Sequence, residues 1–423
     1  MKKLQIIVTL IICFTSLTTV STNSFALVIG YGNTEATNFG FAFSNPGARA
    51  AGMGGAFIGV ADDATAAYTN PAGLTVLSKP EIAVEFKQTK TDVPYYYYPV
   101  TTGGALATVD STETTDNVSF LSYTYPMEKA NLTVYRHQMV DSRYSVSNNF
   151  QNGTSNNTVT KLGIVTYALA GSYKLSDRLS VGLTVGFSDF DFYNIFNTYT
   201  GGAISNSAGT SGSSNAPHAT VALMWSPFDQ FNLGLVYRYG PKFTYRDQYT
   251  NTNSTVTPYQ IVDTFKTPDI YGAGISYRFS TGLTLAADVD YIKYSQISDD
   301  FIWSDGTHCQ PNGSSQICTN DYKLDDTYEF HMGLEQVFSI KNVPLAFRGG
   351  YAFKQAHRIY NEPNGTYTAA LASSIGRMFT KGDDEHVGSV GLGVVLGKNF
   401  QIDAAASYSN FTTEYISSLV FRF

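Results

Sequence analysis

Fourteen segments with alternating apolar and polar residues follow one another from residue 81 to the end of the sequence, and no other feature constrains the fold as strongly. Alternation with a period of two is typical of β-strands that have one apolar and one polar face. We therefore predict an all-β fold. The predicted strands are 81–90, 117–125, 131–146, 158–173, 178–192, 216–226, 231–248, 259–278, 282–296, 323–338, 343–358, 385–396, 400–411 and 414–423.

Short turns and long loops alternate between these strands, as in outer-membrane barrels with short periplasmic turns and longer extracellular loops. A soluble β-sandwich is the alternative, but its connections have no reason to alternate in length. We predict that residues 81–423 form a 14-stranded antiparallel up-and-down transmembrane β-barrel in a bacterial outer membrane. The short turns include Lys174–Asp177 and Pro227–Gln230, and the long loops include 91–116, 193–215, 297–322 and 359–384.

The composition supports a membrane barrel. Charged residues make up only 14 % of the chain and aromatic residues another 14 %, whereas charged residues usually account for about a quarter. No apolar run beyond the N-terminal region is long enough for a membrane-spanning helix. The formal net charge of −7 and the lack of a basic stripe argue against nucleic-acid binding.

Residues 1–26 are predicted to be a signal peptide. Lys2 and Lys3 form its basic start, an apolar run extends from Ile6 to Leu17, and Ser24-Phe25-Ala26 matches a small-x-small cleavage site. A membrane-anchoring helix is the alternative, but the apolar run is too short to span a bilayer.

Residues 27–80 are predicted to form a compact plug inside the barrel. Within them, Gly47–Leu74 is packed with Gly and Ala and ends in Asn70-Pro71-Ala72-Gly73. Small residues let backbones pack closely, and Pro and Gly end helices, so we expect short helical turns.

Two stretches of this segment, GMGGAF and ADDATAAYTNPAGL, resemble the N-terminal hatch of the FadL-type outer-membrane transporters of long-chain fatty acids and other hydrophobic compounds. The resemblance is strongest over Asn45–Leu77. It implies a fourteen-stranded barrel with the hatch in its lumen, ligand capture at the extracellular loops, a pocket beside the hatch, and exit after the hatch moves. Asn70, Pro71 and Ala72 match the hatch motif and are the expected gate.

The function that we expect is passive uptake of hydrophobic small molecules such as long-chain fatty acids. Two alternatives stay open: a barrel of the same type that binds proteins for secretion or attachment, and a general porin, which the plug argues against. No catalytic, cofactor or metal-binding pattern stands out, so no enzymatic activity is predicted. The expected partners are the hydrophobic ligand, outer-membrane lipid and lipopolysaccharide, and the barrel-assembly machinery, whose recognition signal the last strand, ending in Phe423, resembles.

Four cations fall on the polar faces of predicted strands, which should line the lumen because a charge on the lipid face costs about 2–4 kcal/mol near the midplane. They are Arg238, Arg278, Arg348 and Lys354. Of these, Arg238, Arg348 and Lys354 are candidate contacts for the carboxylate head group of a ligand. The alternative is that the cations pair with Asp288, Asp290, Glu335 or the plug.

Cys309 and Cys318 lie in the same predicted loop. Because an exported protein meets an oxidising compartment, we predict a disulfide between them. His308 beside Cys309 leaves metal binding as an alternative.

The predicted third strand contains an irregularity. Leu132 and Val134 share a face, and continuing that face places Arg136 in lipid. A bulge or kink near Tyr135, Arg136 and His137 would avoid this cost, and the resemblance implies a kinked third strand beside a lateral opening. Alternatively, Arg136 lies at the membrane interface and extends to the head groups.

Overall fold

The computed structural model describes residues 26–27, 43–97, 107–149, 154–248, 250–252, 260–298, 309–312, 315–318, 322–362 and 381–423. Most of the predicted signal peptide (1–25) and the first part of the predicted plug (28–42) lie outside the described residues. Ala26–Leu27 pairs in parallel with Tyr95–Tyr96. In the part of the chain that is described, no helix has the length and apolarity needed to cross a membrane.

Fourteen antiparallel strands form a closed barrel, as predicted, because each strand pairs with the next and the last pairs with the first. The strands are β1 (Glu81–Tyr97), β2 (Ala107–Pro126), β3 (Ala130–Asn149), β4 (Thr154–Ser176), β5 (Leu179–Thr200), β6 (Ala203–Phe228), β7 (Phe231–Tyr239), β8 (Ile270–Arg278), β9 (Leu283–Ile292), β10 (Thr327–Ile340), β11 (Val343–Lys354), β12 (Glu385–Leu396), β13 (Phe400–Tyr408) and β14 (Thr412–Arg422).

The two faces of the strands separate apolar and polar side chains as predicted. On β10, Phe330 and Leu334 are exposed on the outside, whereas Glu329, His331 and Glu335 are buried on the inside. The outer face therefore suits lipid, and the inner face presents polar groups to the lumen.

The prediction of a long loop at 193–215 is wrong. The hairpin of β5 and β6 keeps its backbone pairing up to Thr200 and Ala203, joined by Gly201 and Gly202 at positive φ. The segment from 205 to 215 looks like a loop because it is rich in Ser, Thr, Asn and Gly, although Ile195 on β5 and Ile204 on β6 are exposed apolar residues.

The predicted strands 231–248 and 259–278 are each interrupted. β7 ends before Gly240-Pro241, β8 begins after Pro268, and Lys242–Gln248 pairs with Gln260–Lys266 in a separate hairpin. Proline lacks a backbone N–H and cannot continue a ladder, which explains both breaks. We call the paired segments 242–248 and 260–266 the inner hairpin, because they pack against the inward-facing side of β6: Ser214 Oγ donates to the carbonyl of Thr244 (2.8 Å).

The plug consists of two short helices, α1 (Ala48–Gly52) and α2 (Ala66–Thr69), and a 3₁₀ helix, Pro71–Val76. α1 contacts β11 to β14, and the 3₁₀ helix contacts β3 to β6 on the other side of the lumen. The plug thus reaches from one side of the barrel to the other.

Glycines on the inner face of the wall make room for the backbone of the plug. A Cβ atom on Gly182 of β5 would lie 2.2 Å from the nitrogen of Ala72, and one on Gly350 of β11 would lie 2.0 Å from the nitrogen of Gly54. Real Cβ atoms do not approach other atoms so closely, so these two positions require glycine for the plug to sit where it does.

Replacing Gly182 with Ala should therefore displace the 3₁₀ helix while leaving the barrel closed. We expect higher ion conductance in planar bilayers and a retained heat-dependent shift of the folded barrel in SDS gels. Gly388→Ala on β12 is the matched control, since no atom lies within 4 Å of the added methyl group. Equal conductance of the two variants and the parent protein would contradict the close fit of the plug at Gly182.

Candidate functional site

A chain of ion pairs fixes one side of the plug to the barrel wall. Arg49 of α1 donates from Nε and Nη2 to the two carboxylate oxygens of Glu335 on β10, both at 2.8 Å. Arg348 on β11 donates to Glu335 (2.7 Å) and to Asp403 on β13 (2.7 Å). All four side chains are largely buried. A buried charge that loses its partner is costly, so each member holds the others in place.

The loop between the two helices of the plug extends this network. Asp62 pairs with Arg49 and also with Arg278 (2.9 Å). Asp63 accepts hydrogen bonds from the backbone N–H (2.9 Å) and the hydroxyl (2.5 Å) of Thr65. Burial raises the pKa of the Asp63 carboxyl, and the nearby Arg49 guanidinium lowers it in part.

Polar side chains of the wall also bind the backbone of the plug. The Oδ2 atom of Asp288 accepts from the N–H groups of Phe57 (2.6 Å) and Ile58 (2.7 Å). Nδ1 of His331 lies 2.7 Å from the carbonyl oxygen of Gly54. Much of the polar lumen face is therefore occupied in holding the plug.

The expected gate residues are held by the same kind of contact. Asn70 donates to the carbonyl of Ile58 (2.9 Å) and accepts from the N–H of Ala72 (3.2 Å). Ser180 on β5 donates to the carbonyl of Ala72 (2.9 Å). Asn70, Pro71 and Ala72 are buried. Their hydrogen bonds join this part of the plug to the wall.

Arg348, one of the three head-group candidates, does not line the lumen cavity and already has two carboxylate partners. Pairing with Glu335, the alternative to a ligand contact, is what the structure shows. In the described structure, Arg348 therefore has no free donor group directed at a ligand in the chamber.

A polar chamber of about 70 Å³ lies between the N-terminal part of the plug, residues 43–46, and the wall. Lys354 lines it and lies 3.7 Å from Glu385. The lining of the chamber mixes charged side chains with apolar ones such as Phe43, Ile270 and Ile416. The charged and histidine residues around it are Glu85, Lys87, His137, Arg238, Asp290, Glu329, His331, Lys354 and Glu414. Among the described residues, no group of three or more His, Cys, Asp or Glu could hold a metal ion.

Arg238, on β7, differs from the other lumen cations. Its guanidinium lies over the ring of Tyr68 (4.3 Å) and makes only long contacts, 3.4 Å each, with the carbonyls of Tyr68 and Thr69. In the described part of the chain, no carboxylate lies within ion-pair distance of it, and its Nε atom has no hydrogen-bond partner. Arg238 is buried, so it is a desolvated cation that can accept an anion.

Other polar atoms near Tyr68 also have no hydrogen-bond partner within the described structure. They include the hydroxyl of Tyr135 and Nδ1 of His137, whose ring packs on Tyr68 with a centroid distance of 4.3 Å. Buried polar groups normally have hydrogen-bond partners. Buried polar atoms without partners, beside a cation without a carboxylate partner, therefore indicate a place for a polar ligand group or water.

A continuous apolar region extends from Tyr68 to the inner hairpin. It includes Phe120, Leu162 and Ile164 on the wall and ends in an aromatic cluster where Phe190 of β5 packs on the inner hairpin. The ring of Phe190 lies 5.1 Å from Phe243, 4.9 Å from Tyr245 and 5.3 Å from Phe265. Phe190 and Phe192 therefore line the interior.

The wall has a gap between β2 and β3. Their backbone pairing covers only Phe120–Pro126 with Asn131–His137. Over the rest of their described lengths, 107–119 and 138–149, β2 pairs with β1 alone and β3 with β4 alone. The inner edge of the gap is lined by Phe120 and by Met139 and Val140, which belong to the apolar region.

Two bulges explain why the strands separate. On β2, Ser119 is an extra residue in the pairing with β1, and on β3, Met139 is an extra residue in the pairing with β4. A bulge bends its strand and increases the local twist. The irregularity of β3 lies at Met139, two residues beyond the predicted Tyr135–His137.

The bulge at Ser119 is a feature that the sequence analysis missed. Val118 and Leu121 are both exposed, although they are three residues apart. In a regular strand, an odd separation places two residues on opposite faces. The shift of the apolar positions from Val118 to Leu121 is thus the signal that could have revealed it.

Cys309 and Cys318 are opposite each other in a small hairpin, Cys309–Asn312 with Ser315–Cys318. Their disulfide stays a prediction.

The chain matches the family described as outer membrane protein transport protein (OMPP1/FadL/TodX) over residues 31–418. Because the match covers most of the chain, the protein belongs to this family, in agreement with the resemblance of the plug. It is an outer-membrane β-barrel transport protein for hydrophobic compounds and not an enzyme. No curated protein matches the chain.

Solved structures share the fold. A FadL homologue from Pseudomonas aeruginosa aligns with a TM-score of 0.63 at 14 % identity, covering 88 % of this chain and 97 % of that one. The toluene transporter TodX from P. putida aligns with a TM-score of 0.61 at 13 % identity, covering 90 % and 99 %. The toluene transporter TbuX from Ralstonia pickettii aligns with a TM-score of 0.57 at 15 % identity, covering 90 % and 100 %.

The ion-pair chain predicts that Arg348 acts in stability. Arg348→Met leaves the carboxylates of Glu335 and Asp403 buried without this partner, so the free energy of unfolding should fall by about 3–5 kcal/mol. Urea unfolding in liposomes measures this change. Lys354→Met is the control and should cost less, because Lys354 lies 3.7 Å from its nearest acid. An unchanged unfolding free energy for Arg348→Met together with lost ligand binding would instead restore Arg348 as a head-group contact.

Proposed function

We propose that this channel carries hydrophobic acids such as long-chain fatty acids, and that the ligand leaves sideways through the gap between β2 and β3. The observation that carries the proposal is Arg238, a buried cation without a carboxylate partner among the described residues, at the edge of an apolar region that reaches the gap. A charge-assisted hydrogen bond with Arg238 would hold the head group.

The apolar region supplies the affinity for the chain of the ligand. Each methylene group that moves from water into an apolar environment contributes about 0.8 kcal/mol. Arg238 lies over the ring of Tyr68, and the apolar region to which Tyr68 belongs is lined on the wall by Phe120, Leu162 and Ile164. Arg238 also borders the polar chamber, but the charged side chains there make it a poorer environment for a hydrocarbon chain, so the chain should point from Arg238 toward the gap.

The contacts of the plug favour a lateral exit. Moving the plug aside would break the pairs of Arg49 with Glu335 and Asp62, and such buried pairs are costly to break. The expected gating by Asn70, Pro71 and Ala72 would also break their hydrogen bonds to the wall and within the plug. We propose that these residues form the fixed floor of the passage.

The other expected partners follow from the outer surface and remain proposals. The exposed apolar residues of the strands would contact outer-membrane lipid and lipopolysaccharide, and β14, which runs into Phe423, would be recognised by the barrel-assembly machinery. A general porin is disfavoured, because the plug crosses the lumen.

Uptake of small aromatic hydrocarbons is the second candidate. The related TodX and TbuX structures are described as toluene transporters. The cluster of Phe190, Phe243, Tyr245 and Phe265 suits flat apolar rings, which pack well on aromatic side chains. A hydrocarbon would gain nothing from Arg238.

Arg238 therefore distinguishes the two candidates. Arg238→Met should weaken the binding of a long-chain fatty acid by about 10- to 100-fold, the loss of a charge-assisted hydrogen bond, and leave the binding of the fatty alcohol of equal length nearly unchanged. Fluorescence titration of purified protein measures both affinities. Lys354→Met is the control, and Arg238→Lys should restore part of the affinity. An equal loss for acid and alcohol would contradict a head-group role.

A cross-link tests the lateral exit. Asn117 of β2 donates to Asp141 of β3 across the gap (2.8 Å). Joining Asn117→Cys to Asp141→Cys, by oxidation or with a short thiol-reactive linker, should reduce fatty-acid uptake by cells at least tenfold, and reduction should restore it. Thr124→Cys with Thr133→Cys is the matched pair, because these side chains meet at 2.8 Å where the ladder is already closed.

Both pairs are made in a background with Cys309→Ser and Cys318→Ser to avoid mixed disulfides. Full uptake by the cross-linked gap variant would rule out the lateral exit. Equal inhibition in both pairs would show that the cross-link acts on the barrel as a whole.

A further inference from the structure

The geometry points to Arg136 as a second site for the carboxylate of the ligand, at the membrane-facing edge of the gap, where it also closes the gap in the absence of ligand. This inference rests on the proposed function and adds a residue that selects acids at the exit. It concerns the outside of the wall, whereas Arg238 lies in the lumen.

Arg136 lies where a charged side chain is unexpected. It shares the outer face of β3 with Leu132 and Val134, which are both exposed apolar residues. It is six residues from the start of β3 at Ala130. At the usual rise and tilt of barrel strands this places it roughly 15 Å from the periplasmic turn, close to the bilayer midplane. Ionisable residues at such depth generally have a functional reason.

The partners of Arg136 belong to both edges of the gap. Its Nη1 atom donates to the carbonyl oxygen of Val118 on β2, at the level where the ladder with β3 has ended. Its Nη2 atom donates to Oε1 of Gln138 on β3 (2.5 Å), and Gln138 in turn donates to the carbonyl of Val140 (2.7 Å). Arg136 thus replaces a missing backbone hydrogen bond with a side-chain bond.

A second link closes the inner side of the gap. Asn117 is buried more than its outward-facing neighbours on β2, and it donates to Asp141 of β3. The pair formed by Arg136 and Val118 lies on the lipid side. These two side-chain links join edges that share no backbone pair there within the described residues. Side-chain links can exchange partners without unfolding a strand.

A carboxylate is a better partner for Arg136 than the carbonyl of Val118, because it is charged and can accept two parallel hydrogen bonds from a guanidinium. The carboxylate of an acid that arrives in the gap can therefore accept hydrogen bonds from Nη1 and Nη2. The hydrogen bond between Arg136 and Val118 is then broken. A neutral hydrocarbon or alcohol offers no charged acceptor, so it cannot neutralise the positive charge of the guanidinium of Arg136 in lipid. Exit through this edge consequently favours acids.

The test compares Arg136→Gln with the parent protein in cells and in binding assays. The variant should take up a long-chain fatty acid about tenfold more slowly. Its affinity for the fatty acid, measured by the fluorescence titration used for the Arg238 variants, should be unchanged. Uptake of the fatty alcohol of equal length should be unchanged or faster. Arg136→Lys, which keeps the charge, should restore most of the acid uptake.

Arg143→Gln is the matched control, since Arg143 is an exposed arginine farther along the same strand. The heat-dependent gel shift verifies that each variant is folded. Unchanged acid uptake by Arg136→Gln, or equal losses for acid and alcohol, would overturn the inference. If the cross-link between positions 117 and 141 blocks uptake while Arg136→Gln has no effect, the lateral exit stands and only the role of Arg136 fails.

Discussion

Every backbone N–H and C=O group inside a bilayer needs a partner from the protein, because the hydrocarbon offers none. A closed barrel meets this requirement through its ladders, and pairing of β1 with β14 completes the ring. Between β2 and β3, the described ladder ends early, at Phe120 and His137. The bulges at Ser119 and Met139 separate the strands, and Arg136 and Asn117 supply side-chain donors across the opening. Side-chain hydrogen bonds thus replace backbone hydrogen bonds at the place where we propose the passage.

The plug is held on both sides of the lumen, and we propose that this leaves the lateral direction for the ligand. It is fixed on one side by the pairs of Arg49 and Arg348 with Glu335, and on the other side its backbone lies directly against Gly182. These contacts occupy part of the polar lumen face, and Arg238 has no carboxylate partner in the described structure. We propose that Arg238 serves the ligand, whereas polar residues such as Asp288 and Glu335 hold the plug.

The sequence predicts the barrel well and the site only partly. Strand number and face follow from local alternation, so the outward Phe330 and the inward Glu335 are predictable from one segment. The polar hairpin of β5 and β6 is mistaken for a loop, because the alternation signal requires an apolar face. The pairing of Arg49 with Glu335 joins residues far apart in sequence, and no local pattern reveals it. The gap is predictable in part. Arg136 indicates an irregularity in β3, but the position of the bulge at Met139 depends on the register with β4.

A crystal structure with a fatty acid that carries bromine at its terminal carbon would locate both ends of the ligand, because the anomalous signal marks the end of the chain. We predict that the carboxylate lies within hydrogen-bond distance of Arg238 and that the bromine lies in the apolar region lined by Phe120, Leu162 and Ile164. A carboxylate at Lys354 in the polar chamber, or a bromine between the plug and the periplasmic end of the barrel, would contradict this prediction.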